Sequence, residues 1–159
     1  ESLHGILSEL RPVGLDEYGL IAGLDRLVRM WDAQARGRCS YRLDVSGDFA
    51  DVPDDIAINL YRIVQESLSN VMKHAHAGHV RILLHGHPES GRIDLTIEDD
   101  GIGHDVASVR AGLGWLGMKE RASMLGGSLS IGQSRLGGVL VTCSIPCRPP
   151  VEQVKEDTQ

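Results

Sequence analysis

The stretch that decides the fold runs from Asp54 to Gly78 and reads DDIAINLYRIVQESLSNVMKHAHAG. Its apolar residues recur at steps of three and four, which predicts one buried stripe along a helix. That stripe comprises Ile56, Leu60, Ile63, Val64, Leu68, Val71, Met72 and Ala75. Pro53 and the acids that follow it suit the first turn, and Gly78 suits the end. We therefore predict one long amphipathic helix over this stretch, packed on a core.

A polar row follows another face of the same helix. Arg62, Glu66, Asn70 and Lys73 succeed one another at steps of four, four and three, so they align along about three turns. A solvated helix face would show the same spacing. The alternative is a ligand face, in which Asn70 and Glu66 offer hard oxygens to a magnesium ion or a water and Lys73 neutralises phosphate. The residues further along the chain decide between the two.

Composition narrows the class of protein. The chain has 159 residues and a net charge of -6, which argues against nonspecific nucleic-acid binding and against a basic membrane-surface module. No apolar run approaches the ~20 residues that span a bilayer. The three cysteines show no disulfide-framework spacing, which fits a reducing cytosol. Because the sequence starts with Glu1 inside a helical pattern, we expect it to be a piece of a longer protein.

The remaining elements predict an α+β fold. A helix is expected from about Asp16 to near Gly37, and a short one over residues 116–125. Alternating apolar residues predict five strands, over residues 39–45, 79–87, 92–98, 128–131 and 139–145. Most of these strands follow one another through hairpins. We therefore predict an antiparallel-rich sheet covered on one face by helices.

Two glycine-containing segments follow the third predicted strand. That strand ends in Asp99 and Asp100, and the segment Gly101-Ile102-Gly103 comes next. A carboxylate placed there can accept a hydrogen bond from a base amine while the backbone turns close to the ligand, although Asp-Asp-Gly is also typical of an ordinary turn. The second segment, residues 112–117 (GLGWLG), opens into a helix whose free N–H groups can face a phosphate.

The second segment also matches the dinucleotide fingerprint GxGxxG. That fingerprint needs a strand immediately before it, early in a βαβ unit, and an acid about 20 residues later. Residues 104–111 are loop-like, and no acid stands at that distance. A dinucleotide-binding fold is therefore excluded.

Taken together, these segments resemble the ATP-binding domain of bacterial sensor histidine kinases, in the superfamily shared with gyrase, Hsp90 and MutL. Residues 65–75 (QESLSNVMKHA) resemble its N box, residues 99–103 (DDGIG) its first glycine box, and residues 112–118 (GLGWLGM) its second. Residues 119–127 (KERASMLGG) and 10–20 (LRPVGLDEYGL) resemble the nitrate-sensor and hexose-phosphate-sensor type. The resemblance covers about residues 3 to 147, with the boxes in order.

The resemblance implies a Bergerat-type two-layer α/β sandwich with a mixed, mostly antiparallel sheet and a flexible ATP lid. Asn70 would coordinate Mg²⁺ at the phosphates of ATP, with Glu66 holding a water that is coordinated to it or lies near it. Lys73 and His74 would contact phosphate oxygens, and Asp99 would accept from the adenine amino group. The remaining ATP-binding positions are implied along the two glycine boxes, at Gly101, Gly103, Gly112, Leu113, Gly114, Leu116 and Gly117. The implied reaction is phosphoryl transfer from ATP to a histidine.

The resemblance also implies a domain division and partners. Residues 1–36 would be the end of a dimerisation helix and a connecting helix, residues 37–147 the catalytic domain, and residues 148–159 a disordered tail. The implied partners are the protein's own dimerisation and histidine-phosphotransfer domain and a response regulator that binds DNA, with no direct nucleic-acid contact. The parent would be a homodimer anchored in the bacterial inner membrane, with this domain in the cytoplasm.

Two positions depart from the family pattern. The family has Gly-Thr before its last strand, with the hydroxyl near the adenine-binding carboxylate, whereas this chain has Gly138-Val139. His4 is not expected to be the phosphoacceptor, because no acid follows it and the acceptor belongs on an earlier helix. The piece would then bind ATP without phosphorylating itself.

Other interpretations stay open from the sequence. A serine kinase that inactivates a sigma factor shares this ATP site, and a degenerate signalling scaffold would fit Val139. A zinc site at His85 and His87, which share one strand face, lacks a cysteine or acid at metal spacing, so we interpret these histidines as surface residues.

Overall fold

The computed structural model describes residues 19–49, 52–74, 76–101 and 113–147. Within these ranges the helices are α1 (Gly19–Ala35), α2 (Asp54–His74) and α3 (Leu113–Met124). The strands are β1 (Ser40–Gly47), β2 (His79–Gly86), β3 (Arg92–Asp99), β4 (Ser128–Gln133) and β5 (Val139–Pro146). Each predicted strand is therefore present. The predicted ends of the chain and residues 102–103 of the first glycine box lie outside the described residues.

The strands form one mixed sheet in the order β1-β2-β3-β5-β4. β1 and β2 run parallel, with Ser40 beside His79, and α2 is the crossover that connects them. The other three pairs are antiparallel, and hairpins join β2 to β3 and β4 to β5. The predicted α+β class and the antiparallel-rich sheet are confirmed.

The core lies between the sheet and the helices. The stripe predicted for α2 is buried at Ile56, Leu60, Ile63, Val64, Leu68 and Val71. The inward residues of β2 and β3 alternate with outward ones, as expected of a sheet with one covered face. Met72 was predicted to belong to the buried stripe and does not, because 59% of it is exposed. The step of one residue from Val71 rotates the side chain of Met72 around the helix axis, away from the buried stripe.

The ends of two helices differ from the sequence prediction. α2 ends at His74, before the predicted end at Gly78, and the chain reverses through His76, whose φ is 47°. The N–H of Gly78 donates to Asp100 Oδ1, just after β3. This glycine therefore belongs to the segment between α2 and β2 and does not end the helix. α3 begins at Leu113, three residues before the predicted start. Its glycines weaken helix propensity, but contacts with α2 override that preference.

The three cysteines, Cys39, Cys143 and Cys147, are free thiols. Burial raises the pKa of the Cys143 thiol to about 12, so this residue behaves as an apolar core side chain. Among the described helices none is long and apolar enough to cross a membrane.

Candidate functional site

The polar row predicted on α2 is only partly solvated. Glu66 and Asn70 are half-buried, as is Arg62, whereas Lys73 near the end of the helix is exposed. A half-buried carboxylate and a half-buried carboxamide one turn apart need polar partners. This burial favours a ligand face at Glu66 and Asn70 over a solvated one.

α3 lies along this part of α2 and runs in the opposite direction. Arg121 Nη1 donates to Asn59 Oδ1 at 3.3 Å, and Ser67 Oγ contacts Met118 Sδ at 3.3 Å. Nearer its beginning, α3 meets Glu66 at Gly114, where a Cβ atom would overlap Oε1 of the glutamate. The absence of a side chain at Gly114 is therefore what allows α3 to approach the carboxylate.

This contact brings the N-terminus of α3 to the polar face of α2. The first turn of α3 contains no acidic residue. Its free N–H groups and the positive end of the helix dipole therefore have no anionic side chain of their own turn to bind. Such an end is suited to phosphate oxygens, and Lys73 near the end of α2 adds a mobile positive charge.

Asp99 is a buried carboxylate at the end of β3, with 3% of the residue exposed. Gly101 N donates to its Oδ1 at 2.8 Å, and Gly138 N donates to its backbone oxygen at 3.2 Å. A Cβ atom at Gly138 would overlap both Oδ1 and the backbone oxygen of Asp99. Glycines on two sides thus let the backbone pack closely against this carboxylate.

Asp100, the next residue, has a different environment. Its Oδ1 accepts hydrogen bonds from the N–H groups of Gly78 and His79, each at 2.8 Å, and its Oδ2 lies 2.8 Å from His79 Nδ1. Partial burial raises the pKa of Asp100, but the hydrogen bonds from His79 and Gly78 outweigh it, so the pKa is lowered overall. Asp100 therefore fixes the segment after α2 to the end of β3.

The same contacts place the end of α2 beside Asp99. Because Gly78 and His79 bind Asp100, the end of the helix that carries Asn70 lies at the same end of the sheet as the end of β3. The phosphate-type features on α2 and α3 and the buried carboxylate on β3 thus belong to one region.

Val139, which departs from the family pattern, lies in this region too. The β3–β5 register pairs Glu98 with Leu140 and, continued by one residue, places Val139 opposite Asp99. Both side chains point to the helix-covered face, as do Ile97 and Val141 next to them. The apolar side chain of Val139 therefore faces the carboxylate from the neighbouring strand.

The other predicted site residues differ in their exposure, and some of them lie outside the described residues. Gly101 is buried, and Gly117 is in α3 with open space around it. Leu116 is 54% exposed. His74 ends α2 and Leu113 begins α3, but their side chains are outside the described part of the structure. Gly103 and Gly112 lie in the gap between the described ranges.

The sequence interpretation missed the groups that hold Asp99 in place. Ser134, in the turn between β4 and β5, donates from its hydroxyl to Glu98 Oε2 at 3.0 Å. Its N–H donates to the oxygen of Gly138 at 2.8 Å. These bonds fasten the turn carrying Gly138 beside the end of β3. A buried serine in a turn has no distinctive sequence signal, because serine is common in turns.

The histidines at the opposite end of the sheet have local partners. Ser46 Oγ lies 2.8 Å from His85 Nδ1, and His87 Nε2 lies 2.6 Å from Asp94 Oδ2. Burial raises the pKa of Asp94, but hydrogen bonds from Ser144 and His87 outweigh it and lower the pKa overall. Across the described ranges, no group of three or more His, Cys, Asp or Glu side chains is arranged to hold a metal ion.

Comparison with known proteins agrees with this geometry. Residues 55–149 match the family described as histidine kinase-, DNA gyrase B-, and HSP90-like ATPase. The chain is 36% identical over 148 residues to the signal transduction histidine-protein kinase/phosphatase UhpB of Salmonella typhimurium, which covers 93% of this chain and 29% of UhpB. The chain therefore spans less than a third of that relative.

Two solved structures share the fold. The blue-light activated histidine kinase of Erythrobacter litoralis EL346 superposes with a TM-score of 0.63 and 26% identity, covering 80% of this chain and 45% of that one. The ATP binding domain of PrrB from Mycobacterium tuberculosis superposes with a TM-score of 0.54 and 25% identity, covering 79% and 93%.

These matches confirm the prediction of an ATP-binding catalytic domain of the sensor histidine kinase type. The family match includes residues 55–74 of α2, the whole of β3 and α3, and both hairpins, which are the elements that carry the candidate site. The chain belongs to the histidine kinase-, DNA gyrase B-, and HSP90-like ATPase family.

Proposed function

We propose that this domain binds Mg-ATP between α2 and α3 and transfers its γ-phosphoryl group to a histidine on the dimerisation domain of its parent protein. The observation that carries the proposal is the contact of the half-buried Glu66 with the N-terminus of α3 at Gly114. The half-buried Asn70 lies one turn further along α2, and Asp100, next to the buried Asp99, binds the segment that follows this helix.

The phosphates are held from two sides. Asn70 and Glu66 supply oxygen donors on adjacent turns of α2, which is the kind of donor Mg²⁺ takes, and their half-burial favours a bound polar partner. Mg²⁺, when bound, neutralises charge on the phosphate oxygens. The N–H groups at the start of α3, from Leu113 onward, and the ammonium of Lys73 neutralise the rest. His74, at the end of α2, adds a further phosphate contact.

The base is held at the end of β3. Asp99 accepts a hydrogen bond from the adenine amino group through its carboxylate, and Gly101 and Gly103 let the backbone turn past the base. Gly112, Gly114, Leu116 and Gly117 shape the cover over the nucleotide. Gly114 has a second role, since its lack of a side chain keeps the Glu66 carboxylate in place.

The chemistry assigned to the chain is positioning and charge neutralisation. Phosphoryl transfer passes through a loose transition state, so the protein gains most by fixing the donor phosphate in line with the acceptor. The acceptor histidine belongs to the dimerisation domain, from which the phosphoryl group passes to a response regulator that binds DNA. Residues 37–147 are the catalytic domain in this proposal, with residues 1–36 connecting it to the dimerisation helices and residues 148–159 forming a tail.

The parent is proposed to be a membrane-anchored homodimer of the nitrate-sensor and hexose-phosphate-sensor type, with this domain in the cytoplasm. The similarity to UhpB over 93% of the chain supports that assignment. So does the segment of residues 119–127, which forms the second half of α3 and the residues after it.

Calorimetric titration with ATP, with and without magnesium, tests the nucleotide site. Asn70→Ala and Asp99→Asn are each compared with a matched control. Asn59→Ala removes another asparagine of α2, and Asp100→Asn neutralises the neighbouring carboxylate. We expect magnesium-dependent binding to be lost in Asn70→Ala and weakened at least about tenfold in Asp99→Asn, because a buried base contact of this kind contributes about 1.5–3 kcal/mol.

The controls should retain binding if they remain folded by circular dichroism. Equal losses in Asp99→Asn and Asp100→Asn would contradict the assignment of Asp99 to the base. A folded wild type that binds no ATP would favour the signalling scaffold instead. Transfer is then tested with radiolabelled ATP and the parent's dimerisation domain supplied in trans.

A further inference from the structure

A cavity of about 460 Å³ opens on the side of α2 that carries Val71 and Met72. It lies where the end of α1, the start of β1 and the end of α2 meet. Its walls include the indole of Trp31 and the ring of Tyr41, whose centroids are 6.2 Å apart. Its volume lies within the range of small-molecule sites, and aromatic side chains are common in the walls of such sites.

Two residues on this cavity have a costly backbone conformation. Arg36 has a φ of 50° and His76 a φ of 47°, and within the described ranges they are the two residues other than glycine with positive φ. Both line the cavity, and each follows the end of a helix. Glycine is the usual residue at such a position, because a side chain there is strained. An Arg and a His at these helix ends cost stability because their backbones are strained, but they place two nitrogen-containing side chains beside one cavity.

The two permanently charged side chains that line the cavity are both cationic. Arg36 and Arg38 line it, and among the described residues no carboxylate does. Burial raises the pKa of the Cys39 thiol and raises that of Tyr41 to about 12, so both groups are neutral at pH 7. The cavity therefore combines guanidinium groups with uncharged walls.

The nearby carboxylates are already engaged outside the cavity lining. Asp32 Oδ1 accepts a hydrogen bond from Tyr41 N at 3.0 Å, and Asp100 accepts those of Gly78 and His79. Asp99 accepts from Gly101 N. Their charges add to the effect of burial on the pKa of Cys39, so a ligand carboxylate binds where the guanidinium groups of Arg36 and Arg38 outweigh them.

One donor in the cavity wall lacks an acceptor. In the part of the chain that the structure describes, Trp31 Nε1 is the one buried side-chain nitrogen or oxygen without a hydrogen-bond partner. An indole N–H can only donate, so it needs an acceptor. The atom is covered by protein, and a ligand reaches it only when the surrounding side chains shift.

We propose that this cavity binds a small organic carboxylate with an aromatic or aliphatic body. The body packs between Trp31, Val71 and Met72, and the carboxylate pairs with Arg36 and Arg38, whose planar groups suit bidentate contacts. This site is separate from the nucleotide site, which uses the other face of α2.

The test uses Trp31 as the reporter. The chain has two tryptophans, so Trp115→Phe leaves Trp31 alone. This variant is titrated with phenylbutyrate, with the uncharged phenylbutanol and with the cationic phenylbutylamine, while the fluorescence of Trp31 is followed. Calorimetry on the wild-type chain repeats the titrations without the substitution.

We expect saturable binding of phenylbutyrate, at least about tenfold tighter than that of the alcohol and with no binding of the amine. Arg36→Gly should weaken phenylbutyrate about tenfold while raising the melting temperature, because glycine relieves the strained backbone. An Arg36 that serves only to end α1 would give the rise in melting temperature with no loss of affinity.

Three results would overturn the proposal. They are equal binding of the acid and the alcohol, unchanged phenylbutyrate affinity in Arg36→Gly, and displacement of phenylbutyrate by ATP, which would locate the probe in the nucleotide site. Arg38→Gln provides a second variant with an ordinary backbone conformation, and it should weaken phenylbutyrate in the same direction.

Discussion

Gly114 and Gly117 are three residues apart in α3, yet replacing each by alanine should have different effects on stability. A Cβ atom at Gly117 meets nothing within 4 Å, whereas one at Gly114 overlaps the Glu66 carboxylate. Neither glycine has the positive φ that would make a side chain strained in itself. The pair therefore separates intrinsic helix propensity from a single tertiary contact.

The magnitudes follow from these surroundings. Alanine is preferred to glycine inside a helix by about 1 kcal/mol, so Gly117→Ala should stabilise the domain by that amount. For a chain of this size the melting temperature should rise by about 2–4 °C. Gly114→Ala gains the same propensity but forces Glu66 out of its position, which costs about 0.5–1.5 kcal/mol for a strained rotamer. Its net effect on stability should be close to zero.

The assay is urea unfolding of both variants in the wild type and in a Glu66→Ala background. Removal of the carboxylate frees the space that a Cβ at Gly114 needs. In that background Gly114→Ala should stabilise as much as Gly117→Ala, which gives a coupling energy of about 1 kcal/mol between positions 66 and 114. If Gly114→Ala and Gly117→Ala stabilise equally in both backgrounds, Gly114 does not hold α3 against Glu66 and the reasoning is wrong.

Three further predictions concern the region of Asp99. Val139→Thr should tighten ATP binding about two- to tenfold in calorimetry, because it places a hydroxyl beside Asp99 worth about 0.5–1.5 kcal/mol; a weaker affinity in a folded variant would contradict that placement. Gly138→Ala should lower the free energy of unfolding by about 1–3 kcal/mol, because the overlap is with backbone atoms of Asp99 that cannot move aside cheaply. Asp100→Asn should lower it by about 1–3 kcal/mol at neutral pH. Since the folded pKa of Asp100 is lowered, its stabilisation is complete above its ordinary pKa of 3.8 and is lost as the pH falls through the folded value, so the difference between wild type and variant should shrink in acid. A constant difference from pH 7 into acid would show that the charge of Asp100 does not matter.

Much of the fold could be predicted because its signals are local and repeated. The buried apolar residues of α2, from Ile56 to Val71, recur over about four turns, and the strands alternate between inward and outward side chains. The limits of helices were less predictable. α3 starts at Leu113, although Gly114 and Gly117 weaken helix propensity in its first five residues, because the helix packs on α2 beside Glu66. Nothing in the sequence near Gly114 shows that Glu66 will lie against it.

The candidate site divides in the same way. The spacing of Glu66 and Asn70 placed them on one helix face, and Asp99 was identifiable at the end of a strand. The different duties of Asp99 and Asp100 were not visible, since adjacent carboxylates look alike until the structure shows what each one binds. The cavity at Trp31 was also hidden, because its walls come from residues 31–41 and 71–77, two stretches that are distant in sequence.

The parallel pairing of β1 with β2 has a consequence for the order of folding. The β2–β3 and β4–β5 hairpins close short loops and can form early, whereas β1 can join β2 only after the chain has passed through the whole of α2. The α2 side of the proposed nucleotide site is therefore completed late, after the β2–β3 hairpin has placed Asp99. A nucleotide that contacts both α2 and the end of β3 binds only the fully folded protein. It should therefore slow unfolding while leaving the refolding rate unchanged.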